Sequence, residues 1–429
     1  MDRPGVRQVL ALVVGMPLAA LVIVVLGAAV PDRLVLDRLH DAVVEGQMSE
    51  TQYLRGASGG VIDRHSECKR MTIGLGAESG NPVAVAVRSP TLGSCEPAVA
   101  KIIGWADGEG LTRSYEYFRY WHGGAAVLRP LIVALGVAGT RVLAATGLAI
   151  AAGALWWTVR ARAGALAATL FLGPLVATTD FIDLHQMLVH AIGAIVALGA
   201  AALVVSRVPA DAPPLTFAMA AFISGGAFLF FADLTNPDAA WALTTVAAAL
   251  ACCSLDARPA AVRLGAAAGG WLAGFAWLWF AKWLIAVPVV GYAAVRRSVG
   301  DQIDERLNAE VDGMDNGRTA GLARAWREWW DLPSTWPLLI ALVVVALVVV
   351  VRRREVASTW RPRLLLAAPA LIPVVWHVVM KNHTLVHGWF TYRSFAVAAG
   401  AVLLAATARV ARTADDQANV GLGASGSMP

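Results

Sequence analysis

Charge is scarce in this 429-residue chain: Asp, Glu, Lys and Arg together make up 15% of it, against roughly 25% in a soluble domain. Hydrophobic residues reach 58% and mean hydropathy is +0.61, which makes the bilayer the main solvent of the fold. The chain has no Walker A motif and no His-Glu-x-x-His pair, so ATP-driven transport and zincin proteolysis lose their usual signatures. It also has no extended basic stripe with interleaved aromatics. Its formal charge of +5 and pI near 9.2 therefore do not point to nucleic acid, because the basic residues fall in short clusters between apolar runs. Cysteine is scarce too: the four divide into Cys68 and Cys95 in a long polar loop and Cys252 and Cys253 at the end of an apolar run.

What is present in quantity is apolar sequence. Ten runs of roughly 20 residues are each long enough to cross a hydrocarbon core: 9–30, 139–158, 163–180, 186–205, 214–232, 239–254, 263–286, 335–351, 363–380 and 394–411. The first follows a short basic start (Arg3, Arg7) and resembles a signal peptide, but it exceeds the usual 7–15 apolar residues and reads as a retained span. The expected class is an all-α membrane protein of about ten transmembrane helices. Its parts are a first helix (1–30), an extracytoplasmic cap (31–138), six helices (139–286), a second extracytoplasmic loop (287–334), three helices (335–411) and a disordered cytoplasmic tail (412–429).

Orientation follows from the excess of Arg and Lys in cytoplasmic loops. Placing the N-terminus inside puts Arg160, Arg162, Arg207, Arg258, Arg263, Arg352 to Arg354, Arg361, Arg363, Arg409 and Arg412 in the cytoplasm, with both termini on that side of the cell membrane. The cap is then expected to contain short amphipathic helices at Leu36–Leu54 and Glu96–Asp107, and the second loop a polar helix over 301–330 that ends in Trp326, Trp329 and Trp330. In an oxidising compartment Cys68 and Cys95 can pair, closing a loop of about 28 residues and contributing roughly 3 kcal/mol. Two free thiols are the alternative. Cys252 and Cys253 read as lipid-facing or packing residues.

On this topology the ionisable groups gather at one end. Asp180, Asp183, His185, Asp233, Lys282, Lys381, Asn382, His383, His387 and Arg393 all lie at extracytoplasmic ends of spans, where a single protein-lined vestibule under the cap would account for them. The densest group is Lys381-Asn-His-Thr-Leu-Val-His-Gly-Trp-Phe-Thr-Tyr-Arg393. The four-residue spacing of His383 and His387 suits a metal or a phosphate, but no Cys or acidic ligand is close by, so an anion held with Arg393 is the stronger reading. Tyr392 and Trp389 equally suit interfacial anchors. A second group, Tyr115 to His122 followed by Arg129, sets aromatic faces beside Arg119, Trp121, His122 and Arg129, as sugar stacking and phosphate binding both need; an interfacial aromatic belt is the plainer alternative. In the third, Asp63-Arg-His-Ser-Glu67, either carboxylate could serve as a general base, or both could belong to a solvated turn. No motif requires a cofactor; a divalent cation is the one candidate left open.

The segments Tyr117-Phe-Arg-Tyr-Trp-His-Gly123 with Leu128-Arg-Pro130, Phe231-Ala-Asp-Leu-Thr-Asn-Pro237, Phe280-Ala-Lys-Trp283 and Asn382 to Arg393 resemble a family of bacterial polytopic membrane proteins of unassigned biochemistry. In architecture the chain resembles the GT-C glycosyltransferases. That likeness implies an acidic residue in the first extracytoplasmic loop, here Glu67 or Asp63, as the base toward an acceptor. It implies Arg119, Arg129, Lys282 and Arg393 on the donor phosphate, and aromatics near Trp121 on sugar rings. Asp233, Asn382, His383, His387 and Tyr392 complete the expected binding set. The implied partners are membrane lipid, a polyprenyl-phosphate sugar donor and a cell-envelope glycan acceptor. A transporter or flippase of a lipid-linked or anionic substrate, and a non-catalytic assembly partner, are the rival readings.

Overall fold

The computed structural model describes residues 5–409 except 58, 79, 309, 312, 315, 316 and 353–359; the tail at 412–429 lies outside the described residues. Helix α1 (Val6–Ala28) carries no acidic residue and leaves most of its surface exposed, as a lipid-facing span does. The cap follows with α2 (Asp32–Val44), a β1–β2 hairpin (Tyr53–Arg55 and Val61–Asp63, Tyr53 opposite Asp63), α3 (Arg64–Met71) and α4 (Pro82–Arg88). Strand β3 (Pro90–Thr91), α5 (Cys95–Ala106) and β4 (Tyr115–Glu116) complete it, with Thr91 opposite Tyr115. A disulfide joins Cys68 of α3 to Cys95 at the start of α5. The cap has no separate core: Leu36, Leu39, Met71 and Ile102 form one buried cluster with Leu128, Ile132 and Leu188 of the neighbouring membrane helices.

Helix α6 (Gly123–Ala163) begins 16 residues before the expected span, and Gly136 at φ 67° breaks it into a cap-level segment and a spanning segment. Then come α7 (Ala165–Thr178), α8 (Leu188–Arg207), α9 (Pro214–Ala232), α10 (Pro237–Cys252) and α11 (Ala257–Val290). The second loop forms α12 (Tyr292–Ile303), one π-helical turn at Asp304–Asn308 and α13 (Ala320–Trp330), in place of one continuous polar helix. Helix α14 (Thr335–Arg352), α15 (Trp360–Ala367), α16 (Leu371–Val379), α17 (Lys381–Thr391) and α18 (Arg393–Thr407) end the described chain.

Among the described residues seven helices, where about ten spans are expected, are long and apolar enough to cross a membrane: α1, α6, α8, α9, α11, α14 and the stretch Trp360–Val379. The remaining three apolar runs take other forms. Helices α7 and α10 are shorter than a full crossing, and α17–α18 is a pair bent by 77°. Closed backbone hydrogen bonding within each helix is what lipid demands, and the long apolar helices mark a multi-pass membrane protein.

Helix α10 sits in the middle. It is built largely of Ala and Thr, and every residue but Trp241 is buried. Helices α9 and α11 approach closely through glycines: a Cβ on Gly225 would lie 2.1 Å from Trp271 O, and one on Gly274 would lie 2.0 Å from Phe222 O. Small residues replace the hydrophobic effect as the means of helix association in lipid. The two ends of the bundle differ. Arg162, Arg263 and Arg363 bond to main-chain carbonyls at the end opposite the cap, whereas the cap end holds buried ion pairs such as Arg70–Asp233, Arg141–Glu67 and His190–Asp63.

Candidate functional site

The cap is fastened to the bundle by buried polar contacts. Arg70 Nη2 lies 2.5 Å from Asp233 Oδ2, at the C-terminus of α9, and Asp63 Oδ2 lies 3.1 Å from His190 Nε2, near the start of α8. The backbone amides of Ala57 and Gly60 donate to Asp183 and Asp180 at 2.7 and 3.1 Å. Tyr392 Oη donates to the other oxygen of Asp180 at 2.7 Å, and Arg393 Nη1 lies 3.1 Å from His190 Nδ1. These contacts position a cavity of about 280 Å³ between cap and bundle. It is lined from α3 by His65, Lys69 and Arg70, from the α6 approach by Tyr117, Arg119, Tyr120 and His122, from α9 by Asp233, from the π-helical turn by Glu305 and Arg306, and from α17 by His383 and His387.

Charge on this wall is strongly one-sided: Lys69, Arg70, Arg119 and Arg306 face two carboxylates, Asp233 and Glu305. Arg119 stacks over Tyr117 at 4.7 Å, and its main chain is held where Trp279 Nε1 donates to Arg119 O at 3.1 Å. Arg306 donates to Tyr120 Oη at 2.7 Å and lies 3.0 Å from His383 Nδ1. On the far wall Asp233 Oδ2 takes both Arg70 and His122 Nδ1, the latter at 3.1 Å, and its Oδ1 is buried with no hydrogen bond. Both members of the Asp233–His122 pair have left-handed backbone, φ 53° and 56°. Non-glycine residues adopt that region rarely and at a cost on the order of 1–3 kcal/mol each, and such strain gathers at functional sites.

The electrostatics sort the groups. Burial lowers the pKa of His122, and Asp233 opposes the fall. For Asp233 burial acts upward, but Arg70 and His122 outweigh it and hold the carboxyl below its ordinary range. Burial and the nearby Arg119 pull Lys69 down, and burial with Lys69 does the same to His65. The positive charge of the cavity therefore comes from lysine and arginine, with the histidines as neutral hydrogen-bonding groups. Oxygens of a phosphate are the chemical match for such a wall.

Of the residues expected at the site, Arg119, His122, Asp233, His383 and His387 line the cavity. The others are occupied elsewhere. Trp121 Nε1 donates to Leu278 O at 2.7 Å, and Lys282 Nζ donates to the carbonyls of Ala86 and Val87, closing the C-terminus of α4. Arg129 bonds to Val30 O and Asp32, joining the end of α1 to α6. Asn382 Nδ2 donates to Glu305 O, and Tyr392 and Arg393 support Asp180 and His190. Neither expected base lines the cavity. Glu67 is buried and gripped by Arg141 at 2.8 Å, with Arg64 beside it; burial raises its pKa and Arg141 opposes the rise. Asp63 caps α3 by accepting from Ser66 N at 2.9 Å, and although burial pushes it up, His190 and Ser66 bring it below its ordinary range. The sequence reading missed Lys69, Arg70 and Arg306. The first two form a basic doublet directly after Cys68, a signal that was available; Arg306 reaches the site only through the fold of a long loop. Among the described residues no three His, Cys, Asp or Glu side chains come together as metal ligands.

Fold and site together define a polytopic α-helical membrane protein with a cationic cavity under a disulfide-tied cap. No family model, no curated protein and no solved structure matches the chain.

Proposed function

We propose that the cavity binds the phosphate of a polyprenyl-phosphate sugar donor and that the protein transfers the sugar to a cell-envelope glycan or lipid on the extracytoplasmic face. The observation that carries this reading is the convergence of Lys69, Arg70, Arg119 and Arg306 on one cavity at the cap end of the helices. The orientation is supported by the arginines at the opposite end, as cytoplasmic ends require, and by the Cys68–Cys95 bridge, which suits an oxidising compartment.

Lys69, Arg119 and Arg306 hold the donor phosphate and offset the charge that grows on it as the sugar leaves. Asp233 suits the role of base better than Glu67 or Asp63, because it stands on the cavity wall with Oδ1 unengaged. The acceptor hydroxyl gives its proton to Asp233 while its oxygen bonds to the anomeric carbon. The bond from that carbon to the phosphate oxygen breaks, its electron pair stays on the phosphate, and polyprenyl phosphate departs. Tyr117 and Tyr120 offer faces to a sugar ring.

Gene deletion with mass spectrometry of envelope glycans and polyprenyl-linked lipids tests this. Loss of one defined sugar with accumulation of its lipid donor, restored by the wild type and not by an Arg119→Ala, Arg306→Ala variant, is expected. Unchanged glycans, or donor retained on the cytoplasmic side, would replace the transferase by a scaffold or a flippase.

A further inference from the structure

Beneath the cavity, the first turn of α10 carries a carboxylate that none of the contacts above employs. Asp238 is fully buried; neither side-chain oxygen makes a well-aligned hydrogen bond among the described residues, and the polar groups that bear on it are the Ser394 hydroxyl and the backbone amides of Asp238 and Ala239. The nearest ionisable atom is His377 Nε2 of α16, itself fully buried, 3.5 Å from Oδ2. The imidazole is otherwise engaged by Thr384 Oγ1 at Nδ1 and Ser394 Oγ at Nε2, both at 3.0 Å. A neutral imidazole, donating at Nε2 to Ser394 and accepting from Thr384 at Nδ1, satisfies both contacts, with the Ser394 proton on Thr391 O.

Among the described residues, no cation from the surrounding helices answers Asp238. From α8, His190 faces Asp63; from α18, Arg393 faces His190 and Asp180; from α11, Lys282 is spent on α4; from α15, Arg363 is bonded to Ala405 and Ala406 carbonyls; from α6, Arg129 and Arg141 hold Asp32 and Glu67; from α17, His383 meets Arg306. An ionised carboxylate beside a neutral imidazole in a membrane core is costly, and such intramembrane acids neutralise or pair.

We propose that Asp238 and His377 form a buried proton-binding site that holds one exchangeable proton between them, as a carboxylic acid beside neutral imidazole at neutral pH. A largely apolar cavity of about 60 Å³, lined by Asn236, Ala239 and Arg393, lies against the first turn of α10, and Thr235 lines both this cavity and the cationic one. The site is independent of the transferase reading and equips the core to respond to protons whatever the cationic cavity binds.

Infrared spectra of the purified protein in lipid nanodiscs, taken without substrate, test this apart from any activity. The wild-type minus Asp238→Asn difference is expected to contain the carbonyl stretch of a protonated carboxylic acid, which shifts with carboxyl-¹³C aspartate and with D₂O, and moves in frequency in His377→Gln. A folded Asp238→Asn variant whose difference spectrum lacks that band would overturn the proposal. If that variant does not fold, ¹³C-aspartate-labelled wild type and His377→Gln are compared, and the absence of a shifted acid band between them would overturn it equally.

Discussion

The cap end of this protein holds two sets of buried or half-buried cations that look alike in the sequence and differ in what they do. In the first set, Arg129, Arg141 and Lys282, the donors are occupied by carboxylates or helix-end carbonyls that tie cap to bundle. In the second, Lys69, Arg119 and Arg306 line the cavity; Arg119 lies over the Tyr117 ring, and Arg306 bonds to Tyr120, Gln302 and His383 rather than to a carboxylate. A cation near a membrane is a functional candidate only when no local acceptor neutralises it. The first set explains stability, and the second leaves charge for a ligand.

The largest expected effect breaks the first set. Arg141→Ala leaves Glu67, 1% exposed, with only the more distant Arg64 at 3.8 Å, and removing one partner of such a buried pair costs about 3–5 kcal/mol. Unfolding in detergent should show that loss, and a stability within error of wild type would mean that Glu67 is not held by this pair. Next comes the cap's cross-link: Cys95→Ser should lower stability by about 3 kcal/mol, read as a lower denaturation midpoint that matches the reduced wild type. Changing the second set should do the converse. Arg306→Ala or Arg119→Ala should lower the midpoint by much less than Arg141→Ala and weaken phosphate binding by about 1.5–3 kcal/mol, roughly tenfold to a hundredfold; a loss of midpoint as large as that of Arg141→Ala would erase the distinction between the sets.

Smaller effects should follow pH. Because Lys69 titrates below an ordinary lysine, phosphate binding should decline as the solution is made alkaline sooner than an ordinary lysine would allow, and Lys69→Arg should remove that decline. Asp63 and Asp233 titrate below their ordinary range, so they stabilise the docked cap above about pH 3.9, the unfolded aspartate value, and that contribution is lost as pH falls through their lowered folded values. Protection of cap amides from hydrogen exchange at stepwise lower pH would follow it.

Much of this was legible in the sequence. Each of the ten apolar runs meets an apolar helix, since lipid imposes both composition and backbone closure. The gathering of Asp180, Asp233, His383 and Arg393 at one end was equally readable, because helix direction alternates along the chain. What could not be read was partnership. Arg129 and Arg119 stand ten residues apart in the same aromatic-rich segment, yet one is spent on Asp32 and the other faces a cavity, a difference fixed by which distant helix lies opposite. The 77° bend between α17 and α18, which brings His383 and His387 to the cavity, has no proline to announce it.

The most direct test of the central claim is equilibrium binding of a polyprenyl phosphate to the purified protein in nanodiscs, with inorganic phosphate and the dephosphorylated polyprenol as separate probes. The account predicts saturable binding of the phosphorylated lipid that polyprenol does not match and that falls at least tenfold, by about 1.4 kcal/mol, in the Arg119→Ala, Arg306→Ala variant. Equal binding of polyprenol and polyprenyl phosphate, or binding undiminished in that variant, would contradict it.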